Sequence, residues 1–319
     1  MASRFYALMF VAVTVILGMV SPPDMALMTA QAQTAQDRKA EADRLLNLGG
    51  QQYQISQFEA AFQSWQQALT IYREIKDRLG EGNVLGNLGL AYYSFGKYDK
   101  AIEFYLQSLA ILRQIKNRLG EGQSLGNLGN AYFSLGKYDK AIEFYLQSLV
   151  IAREIKDRRG EMYGLNGLGY AYGKLNRDRE AMISFQQALT IAREIGNRNI
   201  EGYALANLGI VLSNAKRPEL AILFYKQSIN VREAIRKDIS KLDKDIQKSY
   251  LATVESTYRN LADLLLKQDR IIEALQVFDL LKVQELDDYL KNIKGNDRTS
   301  KGIRLLEPEK ALSSSAISD

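Results

Sequence analysis

A stretch of forty residues recurs in register along this chain, and that repetition restricts it to folds assembled from one small unit. Residues 81–120, EGNVLGNLGLAYYSFGKYDKAIEFYLQSLAILRQIKNRLG, and 121–160, EGQSLGNLGNAYFSLGKYDKAIEFYLQSLVIAREIKDRRG, are identical at 30 of 40 positions. The frame extends back to residue 41 and forward to about 236. Five columns carry it. Leu48, Leu88, Leu128, Leu168 and Leu208 form one, and Gly49, Gly89, Gly129, Gly169 and Gly209 the next. Ala61, Ala101, Ala141, Ala181 and Ala221 form a third. Trp65, Tyr105, Tyr145, Phe185 and Tyr225 are large and aromatic, whereas Ala68, Ser108, Ser148, Ala188 and Ser228 are small. Small residues recur where two helices must approach closely, and large ones where a gap must be filled.

Each unit reads as two helices. In residues 121–160, Leu125, Leu128, Gly129 and Tyr132 fall at i, i+3, i+4 and i+7, one helix face. Gly136 ends that helix, where a left-handed residue is wanted. Ala141, Tyr145, Ser148, Leu149, Ala152 and Ile155 continue the pattern on a second helix, and Lys156 to Gly160 reads as the turn into the next unit. No stretch alternates with period two. The expected fold is all-α: a right-handed superhelical solenoid of antiparallel helix pairs.

These columns resemble the tetratricopeptide repeat, whose pattern sets a large residue before Leu-Gly, then aromatic and small residues in alternation. Leu125, Leu128-Gly129, Tyr132, Ala141, Tyr145 and Ser148 fill those places. The 40-residue spacing is similar to that of Pins/LGN-type scaffolds and many bacterial repeat proteins. The family's closing Pro is absent, with Arg153 and Arg193 near its place. A sixth, irregular unit is expected over 237–294. Within it ALQVFDLLKVQELDDYLKN (274–292) resembles the last unit before the CHAT protease-like domain of bacterial tetratricopeptide–CHAT proteins. That likeness implies the sensor arm of such a protein, standing alone or truncated. Residues 295–319 are polar, lack periodicity and read as a flexible tail.

Composition excludes several chemistries. Cys 0 and His 0 remove disulfides, zinc fingers, iron–sulfur clusters and every nucleophile–base pair built on those residues. Basic residues number 42 against 37 acidic, a net charge of +5. That excess is small for this length, and a nucleic-acid footprint needs the charge clustered. Residues 1–32 stand apart. Arg4, an apolar run from Ala7 to Val20 and Ala30-Gln31-Ala32 give the charge, core and exit site of a secretory signal peptide. The expectation is export to a periplasmic or extracellular space, with an uncleaved membrane anchor as the alternative.

Gly80-Glu81-Gly82 lacks the preceding strand and terminal Gly-Lys-Ser/Thr of a phosphate loop, and its recurrence at Gly120-Glu121-Gly122 marks it as inter-repeat packing. Glu81, Glu121, Glu161 and Glu201 recur near the start of each first helix, where negative charge is favourable. Trp65 belongs to the aromatic core column. The turns at Lys76-Asp77-Arg78 and Lys156-Asp157-Arg158 read as a solvated, mixed-charge edge.

Rotation by about 100° per residue away from the Leu128 side gives an inner face. In the tetratricopeptide family this face lines a concave groove. Here it would carry Asn47, Asn87, Asn127, Asn130, Asn207 and Asn214, flanked by Tyr93, Phe133, Tyr163, Tyr170 and Tyr203. An Asn amide both donates and accepts, which suits an extended peptide backbone. The family's carboxylate clamp for chaperone tails is not matched. Its Asn place reads Gly50, Leu90, Asn130, Tyr170 and Ile210, with no recurring Lys beside it. The sequence therefore points to a non-catalytic interaction scaffold that binds a protein or peptide. No cofactor, metal, nucleic acid or, after signal removal, membrane is expected, and the oligomeric state is open. The alternative is the regulatory arm of a CHAT-type protease system with catalysis on another chain.

Overall fold

The computed structural model describes residues 22–290, with side chains described over 34–281. Among them are twelve helices and no strand: α1 (Pro22–Gln54), α2 (Phe58–Glu74), α3 (Arg78–Ser94), α4 (Tyr98–Gln114), α5 (Arg118–Ser134), α6 (Tyr138–Glu154), α7 (Arg158–Lys174), α8 (Asp178–Glu194), α9 (Arg198–Asn214), α10 (Pro218–Ile239), α11 (Lys244–Lys267) and α12 (Ile271–Leu290). The chain divides into two compact units, residues 1–120 and 121–319. In the first, α1 to α4 pack consecutively, and α1 also touches α3. In the second, each helix from α7 to α12 packs on the one before it. The expected tail, 295–319, and residues 1–21 of the expected signal segment lie outside the described residues. Ala30, Gln31 and Ala32 belong to α1.

The forty-residue period is two twenty-residue half-periods. From α2 to α9 each helix has 17 residues. The links carry a left-handed residue at 56, 76, 96, 116, 136, 156, 176, 196 and 216. After α5, the Gly136 amide donates to the Phe133 carbonyl and the Lys137 amide to that of Tyr132, both at 2.9 Å, which satisfies two terminal carbonyls. Gly136 has φ +72 and open space around it, so a side chain there meets only the backbone penalty. Gly136→Ala is expected to cost about 1 kcal/mol. A urea midpoint equal to wild type would contradict this.

The turn expected over Lys156–Gly160 is shorter in the structure, because α7 already begins at Arg158. The cause is Asp157, whose carboxylate accepts from the Gly160 amide at 2.9 Å and so caps the helix. Asp77, Asn117 and Asn197 do the same for Gly80, Gly120 and Ile200. The fifth unit also outruns its expected end at 236: α10 continues to Ile239, since no left-handed residue interrupts it.

The glycine and aromatic columns turn out to be two halves of one contact. A Cβ placed on Gly49, Gly89, Gly129, Gly169 or Gly209 would lie 2.4–2.8 Å from the ring of Trp65, Tyr105, Tyr145, Phe185 or Tyr225 respectively. The ring of each second helix thus lies on the bare backbone of its own first helix. The serine column ties the pair again: Ser108, Ser148 and Ser228 donate to the carbonyls of Gly82, Gly122 and Gly202 at 2.7, 2.8 and 2.7 Å. Gly-Glu-Gly therefore serves helix packing. Its glutamate ties successive units. Arg73 donates to Glu81, Arg153 to Glu161 and Arg193 to Glu201, each at 2.8–2.9 Å. The arginines at the missing-proline position thus fix the inter-repeat turn by ion pairing.

The last pair closes the second unit. Val254, Tyr258, Leu261, Leu265, Ala274, Val277 and Leu280 pack on Leu212, Ile222, Tyr225 and Ile229. Beneath them lies Lys226, 0% exposed, which donates to Glu273 at 2.6 Å. Arg270 bridges Glu273 and Glu219.

Candidate functional site

The expected face divides between the two units. In the first, Asn47 on α1 is exposed and Asn87 on α3 is half-buried. Tyr93 packs its ring 5.2 Å from Tyr98, at the start of the paired helix. In the second, Asn127 is half-buried, while Asn130, Tyr163 and Asn214 are exposed. Asn130 has a structural partner, since the Tyr145 hydroxyl donates to its Oδ1 at 2.7 Å. Phe133 lies between Tyr138, 5.3 Å away, and Tyr170, 6.3 Å away.

The structure draws Tyr170, Tyr203 and Asn207 together and leaves Asn214 and Tyr163 outside that cluster. Tyr170, on α7, meets Phe185 edge-on at 5.4 Å, which orients its ring. Burial pushes its hydroxyl above the usual range, and the Asn207 and Asn166 side chains lie beside it. Asn207 is only 8% exposed. Its amide nitrogen, and the amide oxygen of Asn166, are buried without a hydrogen-bond partner. An unmet buried polar atom costs about 1–3 kcal/mol, so it calls for an explanation.

Two members of the cluster escape the rotation argument. Asn166 lies one residue before Gly167, which takes the Asn column's place in the fourth unit. Arg232, on α10, is 3% exposed. Its Nε donates to Ser228 Oγ at 3.1 Å and its Nη2 to the Gly202 carbonyl at 3.4 Å. The guanidinium lies 4.8 Å from the centroid of the Tyr203 ring, a cation–π distance. A signal for it was present in the sequence: its column otherwise reads Tyr72, Leu112, Ala152 and Ala192, all buried and none of them charged.

Chemically the cluster offers amides, hydroxyls and a guanidinium: groups that bind and orient. Among the described residues no three His, Cys, Asp or Glu side chains converge as metal ligands. No described helix is long and apolar enough to cross a membrane. The edge arginines are engaged with carboxylates, Arg158 with both Glu161 and Glu194 and Arg198 with Asp238.

The family whose model matches the chain is the tetratricopeptide repeat, over residues 30–114 and 121–194. No curated protein matches it. Solved structures share the fold at low identity. RapI in its apo form is 15% identical with a TM-score of 0.57, covering 78% of this chain and 99% of that one. BtubC from P. vanneervenii is 16% identical, with a TM-score of 0.58 over 85% and 97%. A Rap protein complexed with competence and sporulation factor is 14% identical, with a TM-score of 0.55 over 79% and 77%.

Proposed function

We propose, from the premise that this chain is a tetratricopeptide-repeat protein, that it works as a non-catalytic scaffold holding a peptide or a peptide-like segment of a partner protein. The binding face is that of the first helices in the second unit, from Asn127 through Tyr170 to Asn207. The carrying observation is the unused polar capacity at Asn207 and Asn166, buried beside Tyr170. A peptide backbone supplies a donor and an acceptor at each residue, the complement of an unpaired amide nitrogen and an unpaired amide oxygen. Repeat arrays carry ligands on such extended faces because each unit adds the same surface again. A Rap protein of this fold has been crystallised with competence and sporulation factor, which supports a bound partner for the architecture.

The test is selection of ligands from a random peptide library on the purified chain, followed by titration of the strongest peptide. Asn127→Ala/Asn207→Ala is expected to weaken it by about 1–2 kcal/mol, since each lost hydrogen bond contributes about 0.5–1.5 kcal/mol. Circular dichroism should show unchanged helicity. Unchanged affinity in the folded variant would move the site off this face, and a library without binders would refute the reading.

A further inference from the structure

Arg232 is a buried cation whose counter-charge is missing. Its position belongs to an apolar core column, and the other four occupants carry no charge. The hydrogen-bond acceptors of its guanidinium are neutral, Ser228 Oγ and the Gly202 carbonyl, with the Tyr203 ring alongside, and the Tyr250 hydroxyl donates to the main-chain carbonyl of Arg232 at 3.3 Å. No described carboxylate lies within ion-pairing distance of the guanidinium. The neighbouring acid, Glu233, is engaged elsewhere. It accepts from the Tyr258 hydroxyl at 2.5 Å and from Arg236 at 3.0 Å. Burial of an ionised group without a partner costs several kcal/mol, and a guanidinium does not escape by losing its proton. The comparison within the chain is direct, because Lys226, equally buried on the same helix, has its carboxylate in Glu273.

A second observation adds to the first. The Asn207 amide nitrogen, on α9 with Tyr203, is also a buried donor with nothing to donate to. Tyr203 and Tyr170 are half-buried, so the cluster reaches the surface at these two rings. A planar anion with two oxygens satisfies such a set. It takes a forked pair of N–H groups from the guanidinium, and further donors from an amide nitrogen or a phenol.

We propose that Arg232, with Asn207 and the hydroxyls of Tyr170 and Tyr203, forms a carboxylate-binding pocket that selects an anionic residue of the bound peptide. This deepens the scaffold reading and rests on it. The pocket's cation sits on the second helix of the fifth unit, and the other four units carry no charge in that column. The pocket therefore sets the register of the peptide on an otherwise repetitive face. The carboxylate comes from the peptide's C-terminus or from an Asp or Glu side chain, sources with the same recognition chemistry.

The experiment uses the full chain and the strongest library peptide in four forms: free C-terminus, C-terminal amide, acidic side chains intact, and Asp/Glu replaced by Asn/Gln. One neutralised form is expected to bind at least tenfold more weakly, and its identity names the source. In Arg232→Met that preference should vanish, leaving all four forms near the affinity of the neutralised one. The unliganded variant should show a urea midpoint equal to or above wild type, because the charge it removes is uncompensated. Equal binding of all four forms by wild type overturns the pocket while leaving the scaffold reading intact. So does an acid preference that survives in Arg232→Met. An Arg232→Met chain that unfolds at clearly lower urea would make the arginine structural and also overturn it. A library without any binder defeats both readings.

Discussion

Glu273→Ala is expected to lower the stability of the second unit by about 3 kcal/mol. Removing one member of a buried ion pair costs about 3–5 kcal/mol, and the partial exposure of Glu273 places this case at the low end. The reason lies in Lys226, which is fully buried with its ammonium 2.6 Å from that carboxylate. Adding Lys226→Met should recover most of the loss, since an unbranched apolar side chain of similar length fills the same space without a charge. Urea unfolding of the two variants and wild type decides the matter. A double variant no more stable than Glu273→Ala would show that the ammonium is satisfied by other means.

The same pair carries a pH dependence of defined sign. Burial raises the Glu273 carboxyl, but hydrogen bonds and charge from Arg270 and Lys226 outweigh it and hold the group below its usual value of 4.5. A carboxylate depressed in the folded state contributes stability that is fully present above its unfolded pKa. That stability is lost as pH falls through the folded value. Acid unfolding of wild type should therefore steepen below about pH 4.5, and in the double variant this part of the slope should be missing.

Much of the fold was legible because each unit repeats the same local instructions. Leu128, Gly129, Ala141 and Tyr145 recur at fixed spacing, and that spacing forces one helix-pair geometry. The helix starts were less legible. In the sequence Asp157 reads as part of a turn, yet it closes one helix through its backbone amide and opens the next through its carboxylate. The site was the least legible. Rotation from the Leu128 side assumes that a first helix has one buried flank. In the array it has neighbours before and after it. A Cβ at Gly167, in the column of Asn87, Asn127 and Asn207, would lie 2.6 Å from the Tyr145 ring of the preceding unit. That column therefore runs along the seam between units, which is why Asn207 is buried. Arg232 escaped because a periodicity argument averages over units, and a site made by one exception to the pattern disappears in the average.

Gly129→Ala is expected to cost about 2–3 kcal/mol, although it adds a single methyl group in a helix and improves helix propensity. Propensity favours Ala over Gly by about 1 kcal/mol. The gain is outweighed by overpacking, which costs about 1–3 kcal/mol and more where neighbours cannot move. Tyr145 cannot move. Its ring lies 2.6 Å from the new Cβ on one side and 2.6 Å from the Cβ position of Gly167 on the other. Its hydroxyl is fixed by Asn130 at 2.7 Å. The ring is thus held between two glycines of successive units, and displacing it disturbs both. Tyr145→Leu removes the ring and costs stability alone, yet in its presence Gly129→Ala should become nearly neutral. The coupling between the two substitutions should reach about 1–3 kcal/mol, the range seen for residues in direct contact. A double-mutant cycle in urea measures it. Additive effects would mean that the glycine column serves backbone conformation instead of ring packing. Gly136→Ala is the internal control, because its added methyl meets no atom within 4 Å and should show no coupling to Tyr145.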